Sequence, residues 1–346
     1  MRAPAVECPS SLSGMPNAEI HFLLASKVLD HWRAHPAEAP FGPDDPAAVD
    51  AFLLGSVAPD LGYFPRGEYL FSELVHLVRS SDLVRGLVEV AATDAQRAYA
   101  WGWATHVLGD AAIHPLINQA CSEVVSGTRE LPAVLPRDDR THMRVEYGLD
   151  AAFFRRYPHL EQLRLRRDLD PAGAAHLTVA FGRTYGWQLD AGTLLRSHRV
   201  VSRAVRAGVI FNRVATSRFR RRPLHALARL GLSAFGRPSR LLPESYGLAP
   251  LLCALLDPVP PPAWLVEEVE RVVRSFLDRF GEHYTSGLRG LQNYDLTSGA
   301  LAPQEPSAPR TLRALRELAE RRTDSGAAGP NRASSSGVPE KRGVSL

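Results

Sequence analysis

Three side chains able to bind a metal recur at a step of four residues in Thr105-His106-Val107-Leu108-Gly109-Asp110-Ala111-Ala112-Ile113-His114-Pro115. On an α-helix that step turns the side chain by only about 40°, so His106, Asp110 and His114 share one face. A second series with the same step follows, His142, Glu146 and Asp150. Both lie in otherwise apolar stretches, where an unpaired charge is costly. Imidazole and carboxylate without thiolate is the donor set of catalytic zinc sites, which keep positions open for water and substrate. A cluster of two or three zinc ions suits phosphodiester cleavage: one lowers the pKa of the attacking water, and the others offset charge on phosphoryl and leaving oxygens. Asp110, between two histidines on one face, is placed to bridge two ions. The pattern reads as a metal-dependent hydrolase.

The elements that must position these groups are helical. A helix is expected from Pro16, with proline at a tolerated first-turn position, to about Ala34; His21 lies early in it. A Pro/Asp-rich loop (37–46) precedes a second helix carrying Val49, Phe52, Leu53 and Leu54. That helix breaks at Gly55 to Gly62, where glycine and proline bracket Asp60 and put it at a turn. His76 falls in a short apolar run (69–78) whose periodicity fits helix or strand equally. Helices are expected at 81–93, 94–121 and 138–157, then at 171–182, 188–215, 222–236 and 261–290. No segment alternates as a strand would. The fold class is all-α, a multi-helix bundle around a polynuclear metal site.

Composition sets the bounds. The 346 residues are 45% hydrophobic and 23% charged, as in an ordinary globular protein, and the formal net charge of +4 permits an anionic partner without demanding one. Cys8, Cys121 and Cys253 are far apart and odd in number, which supports neither a disulfide framework nor a cysteine zinc ribbon. No stretch approaches the roughly 18 apolar residues of a membrane span. No secretory or lipoprotein-type signal is seen, so the expected location is the cytoplasm, peripheral to a membrane at most. Residues 1–15 read as a disordered extension, with Met15 a second candidate start. Residues 16–300 read as one hydrolase domain (metal core 16–158, helical extension 159–300), and 301–346 as a disordered tail with a short helix at 311–322.

His21, the Ala58-Pro59-Asp60 turn, His76, the Thr105-His106-x-x-x-Asp110-x-x-x-His114-Pro115 helix and the His142-x-x-x-Glu146 helix resemble, in order and spacing, the zinc-dependent phospholipase C family. The resemblance runs from about Met15 to Pro158, and the family's all-helical fold is shared with the P1-type nucleases. It implies that Asp60, His76, His106 and Asp110 hold one zinc, with Asp60 also the general base for the attacking water. It implies that Asp110 and His21 hold a second zinc, and that His114, His142 and Glu146 hold a third. Asp150 matches no ligand and is expected to orient a ligand imidazole. In secreted members the free amino-terminal residue helps bind the His21-type zinc. This chain shows no cleavage signal that would create one, which leaves a two-metal enzyme open, with Cys8 as a conceivable substitute.

The implied substrate is a phospholipid, split into diacylglycerol and a phosphorylated alcohol. A nuclease or nucleotidase on the same core, with aromatic side chains stacking a base, is the second reading; no specific nucleic acid is expected. A non-catalytic metal-stabilised scaffold is the third, and the complete ligand set argues against it. The Arg-dense 196–222 stretch is a candidate contact for anionic lipid, against the simpler reading of a solvated face. His31, His35, His159, His176, His198, His225 and His283 have no carboxylate partner at helical spacing in a comparable setting. Tyr63, Phe64, Phe71, Trp101 and Trp103 lie near the motifs and are candidates to line an apolar or cationic headgroup pocket, against the simpler role of core packing.

Overall fold

The computed structural model describes residues 18–63, 67–130, 139–162, 165–216 and 258–301. The expected extension (1–15, with Cys8), Phe64, Arg218 to Arg222, Cys253, the helices expected at 222–236 and 311–322, and the tail beyond 301 lie outside these residues. The described α-helices are α1 (Ala18–Ala34), α2 (Pro46–Gly55), α3 (Tyr69–Leu77), α4 (Ser80–Val90), α5 (Asp94–Ser126), α6 (Asp139–Arg156), α7 (Pro171–Tyr185), α8 (Ala191–Thr216) and α9 (Ala263–Thr285). A 3-10 turn, Ala58–Tyr63, carries Asp60. His76 is on a helix, α3, which settles the helix-or-strand ambiguity. Among the described residues the all-α expectation holds but for one two-residue antiparallel pairing, Tyr294–Asp295 with Ala300–Leu301.

α5 is the axis, and α1, α2, α4, α6 and α9 all pack on it. Its start is fixed by a capping box, with Thr93 accepting from the Gln96 N–H and the Gln96 side chain accepting in return from Thr93. It runs five residues past the expected end at 121 and stops at Gly127, whose φ of 78° is the left-handed conformation that glycine adopts at little cost. Pro115 lies inside it. Proline has no N–H to offer the Ala111 carbonyl, and the 295–301 turn packs beside this point, the Asn118 side chain donating to the Thr297 carbonyl at 2.8 Å.

Two glycines bring α2 against α5. A Cβ on Gly102 would stand 2.0 Å from the Phe52 carbonyl oxygen, and one on Gly55 2.2 Å from that of Tyr99. Only glycine allows backbones this close. The approach places the Ser56 carbonyl within 3.0 Å of His106 Nδ1. A second core layer forms where Trp32 of α1 meets Phe41, Phe52, Phe280 and Tyr284 edge-on, joining α1 and α2 to α9. Trp103, Phe71, Trp101 and Tyr63 are buried, as core packing requires. No described helix is long and apolar enough to cross a membrane.

Candidate metal centre

α5 carries His106, Asp110 and His114 on its inward face, and the other elements bring their donors to it. His76 Nε2 lies 3.1 Å from Asp60 Oδ1, 3.4 Å from His106 Nε2 and 3.6 Å from Asp110 Oδ2; His106 Nε2 lies 3.0 Å from Asp110 Oδ2. Ligand atoms of a tetrahedral zinc stand about 3.3–3.4 Å apart, given bonds of about 2.0–2.1 Å. The spacing therefore fits one ion among Asp60, His76 and His106, with Asp110 Oδ2 beside both imidazoles, and His21, His106 and Asp110 form a second group able to hold an ion.

The imidazole orientations point the same way. His76 Nδ1–H donates to the Ser72 carbonyl at 2.7 Å and His106 Nδ1–H to the Ser56 carbonyl at 3.0 Å. A carbonyl only accepts, so each Nδ1 holds a proton and Nε2 is the ring atom turned toward the cluster, a lone-pair donor once its own proton is displaced. Buried Asp60 Oδ2 makes no hydrogen bond among the described residues.

His21 of α1 reaches the other side of Asp110. Its Nε2 lies 3.2 Å from Asp110 Oδ1, and its ring stacks on His106 at 4.1 Å. The space comes from Gly109, where a Cβ would fall 2.8 Å from Leu24 Cδ1 and 3.6 Å from His21 Nδ1. The third group is looser. His142 Nε2 lies 2.9 Å and His114 Nε2 3.7 Å from Glu146 Oε1, and the three donor atoms lie within 4.8 Å of one another. Glu146 Oε2 is buried without a hydrogen bond among the described residues, as a carboxylate waiting for a cation would be. Asp110 Oδ1 stands 3.6 Å from His114 Nε2 and so joins this group to the others.

All eight residues expected at the site are thus together, His114 and His142 partly open and the rest buried. The charges are strongly coupled. Burial alone would raise the Asp110 carboxyl, but His106, His114 and His21 outweigh it and hold the group well below the usual carboxylate range. Burial would likewise lower His106, yet Asp110 and Asp60 push it up to about 9. His76 shifts upward because Asp60 overcomes its burial, and His142 well upward because Glu146 and the Cys121 thiol overcome its own. His114 moves down, burial dominating. In the metal-free chain these carboxylates hold protons on imidazoles, and a cation would replace them.

Asp150 has a role the sequence did not indicate. It accepts from the Glu19 and Ile20 backbone N–H groups at the start of the described part of α1. Burial, then the Glu19 and Glu146 carboxylates, raise it well above its ordinary value.

Ser72 was not among the expected residues, and no sequence signal marks it, because its contacts span turns of the fold. Its hydroxyl donates to the Pro59 carbonyl at 2.5 Å and accepts from Gly62 N–H at 2.7 Å, while its carbonyl accepts from His76 Nδ1–H. One fully buried residue thereby ties the Asp60 turn to the His76 helix. Ser72→Ala should cost about 1–3 kcal/mol by leaving a buried N–H and a carbonyl unsatisfied. Urea unfolding checks it; a loss below about 0.5 kcal/mol would show that the staple contributes little.

Residues 20–185 match the zinc dependent phospholipase C family. The matched stretch, a little under half of the chain, supports assignment to that family. The match contains all eight donors and continues to the end of α7, beyond the Pro158 limit expected for the resemblance. The match supports a zinc-dependent hydrolase of phospholipase type, and the three donor groups could hold the metal. No curated protein and no solved structure matches the chain significantly.

Proposed function

We propose that the chain hydrolyses the phosphodiester of a phospholipid, releasing diacylglycerol and a phosphorylated headgroup alcohol, with Asp60, His76, His106, Asp110, His21, His114, His142 and Glu146 holding two or three zinc ions. The observation that carries this reading is the convergence of two Nε2 atoms and two carboxylates at 3.0–3.6 Å in a buried place. When bound, zinc supplies Lewis acidity that eases deprotonation of water near neutral pH and offsets charge gathering on phosphoryl oxygens. The chain's residues do the rest. Asp60 keeps Oδ1 toward His76, and its Oδ2, without a hydrogen bond of its own among the described residues, is the base that takes the proton from the attacking water. The Ser72 and Ser56 carbonyls hold the His76 and His106 rings in the ligating tautomer. Asp110 keeps the groups in register by facing His21 and His114 through one oxygen and His76 and His106 through the other.

The reading extends to an anionic membrane surface. Arg199 and Arg203 are exposed one turn apart on α8, the described part of the Arg-rich stretch that is free to meet lipid phosphates. Arg196, also exposed, engages Asp190 and Thr193.

The test is zinc content by elemental analysis, together with hydrolysis of phosphatidylcholine and phosphatidylglycerol vesicles before EDTA, after EDTA and after zinc is restored. The expected result is two or three zinc ions per chain, diacylglycerol release lost with chelation, and recovery on reloading. Less than one transition-metal ion per chain with no reloading would overturn the reading. Zinc-dependent cleavage of single-stranded DNA but not of lipid would replace it with the nuclease.

A further inference from the structure

The amino-terminal end of α1 raises a question that the metal groups alone do not answer. A helix leaves its first backbone N–H groups without intrahelical partners, and those at the second and third positions are the ones a local capping side chain normally takes. Glu19 and Ile20, two residues and one residue before His21, lie in the first described turn of α1. Both donate to Asp150, which belongs to α6, about 130 residues later in the chain, a helix that packs against α1. Asp150 is itself buried, as are Glu19 and Ile20, so water offers no substitute for the contact.

We infer that Asp150 is a positioning residue that caps α1 in trans and so sets where His21 stands against Asp110. α6 presents Asp150 one turn beyond Glu146 and two turns beyond His142. One helix therefore supplies the third donor group and holds the start of the helix that supplies His21. Besides Asp110, which faces both His21 and His114, Asp150 is a second carboxylate that links the two halves of the site. An acceptor at this point also meets the positive end of the α1 dipole. His21 has no other polar support on its own side: its Nδ1 is buried without a hydrogen bond among the described residues, and its Nε2 faces Asp110. Its placement thus rests on where α1 sits. The inference depends on the proposed ligand set, and its test is chosen so that the two can fail separately.

The experiment uses the full chain, with zinc as the probe, and compares Asp150→Ala with Asp150→Asn. Amide hydrogen exchange at Glu19, Ile20 and His21 reads the cap directly, whether or not zinc binds. Zinc titration reads its consequence. Asp150→Ala should raise exchange at these amides and weaken one zinc by about tenfold or more, the usual scale for losing a group that orients a ligand. The remaining zinc should keep its affinity. Asp150→Asn keeps an acceptor of the same size and should stay within about threefold of the parent in zinc affinity. Unchanged exchange at Glu19 and Ile20 in Asp150→Ala would overturn the inference, and so would an equal loss of every zinc. If Asp150→Ala does not fold, the asparagine variant decides: normal α1 exchange and zinc content support the cap, and selective loss of one zinc refutes it. A parent chain that binds no zinc but loses α1 protection in Asp150→Ala would leave the cap standing and sink the proposed ligand set.

Discussion

Asp110→Asn is expected to lower turnover on a phospholipid by about 10³-fold or more, while His21→Ala leaves a readily measured rate. The difference follows from how many partners each side chain serves. Asp110 Oδ1 lies 3.2 Å from His21 and 3.6 Å from His114, and its Oδ2 lies 3.0 Å from His106 and 3.6 Å from His76. An asparagine keeps one acceptor oxygen and turns an NH₂ toward imidazole lone pairs that, in the proposed assignment, face zinc. It also removes the one negative charge common to the three donor groups, leaving buried cations underneutralised. His21 touches only one of those groups, through Asp110 and by stacking on His106. The check is kcat for both variants after zinc loading, with metal content measured on the same samples. Comparable residual rates would mean that the His21 group matters as much as the shared carboxylate, and the ranking would be wrong.

The sequence carried the site further than it carried the architecture around it. His106, Asp110 and His114 are legible because a helical step of four is a local rule, and His142 with Glu146 obeys it too. Their grouping with Asp60, His76 and His21 came from order and spacing shared with a family, not from any local rule. What stayed hidden depends on contacts across the fold. Gly55 and Gly102 read as an ordinary helix end and an ordinary helical glycine, yet each admits the other helix's backbone. Ser72 and Ser56 look like any small polar residues, but act through contacts to His76, His106 and the Asp60 turn. Asp150 shows the limit best. Its step from Glu146 marked it as part of the site, but a periodicity cannot say that it takes the N–H groups of Glu19 and Ile20. α5 outran its expected end for a related reason. The stop is set by Gly127 in the left-handed conformation, and the apolar pattern weakens before that residue is reached.

Removing zinc should also reverse how stability depends on pH. In the metal-free chain His106 is raised from 6.5 to about 9, with Asp110 and Asp60 overcoming its burial, and His76 and His142 move in the same direction. A group whose folded pKa lies above its unfolded value binds more protons folded than unfolded. Its contribution is therefore complete below about pH 6.5 and lost as pH rises through the folded value. For His106 alone that is about 3 kcal/mol between pH 6.5 and 9. His114 and His198 shift downward, so their titration acts below pH 6.5 and leaves this window alone. Asp110, held well below the usual carboxylate range, loses its contribution only in acid. Zinc competes with the same protons for the imidazole nitrogens, so its affinity, and the stability it confers, should grow across the window in which the metal-free chain weakens. Thermal unfolding with and without EDTA, stepped from pH 6 to 9, reads both effects. The expected result is a falling Tm for the metal-free chain and a widening gap to the zinc-loaded one. A metal-free Tm that stays level or climbs over this range would show that the carboxylates do not hold those protons. A gap that does not change with pH would show that zinc is bound by groups other than these histidines.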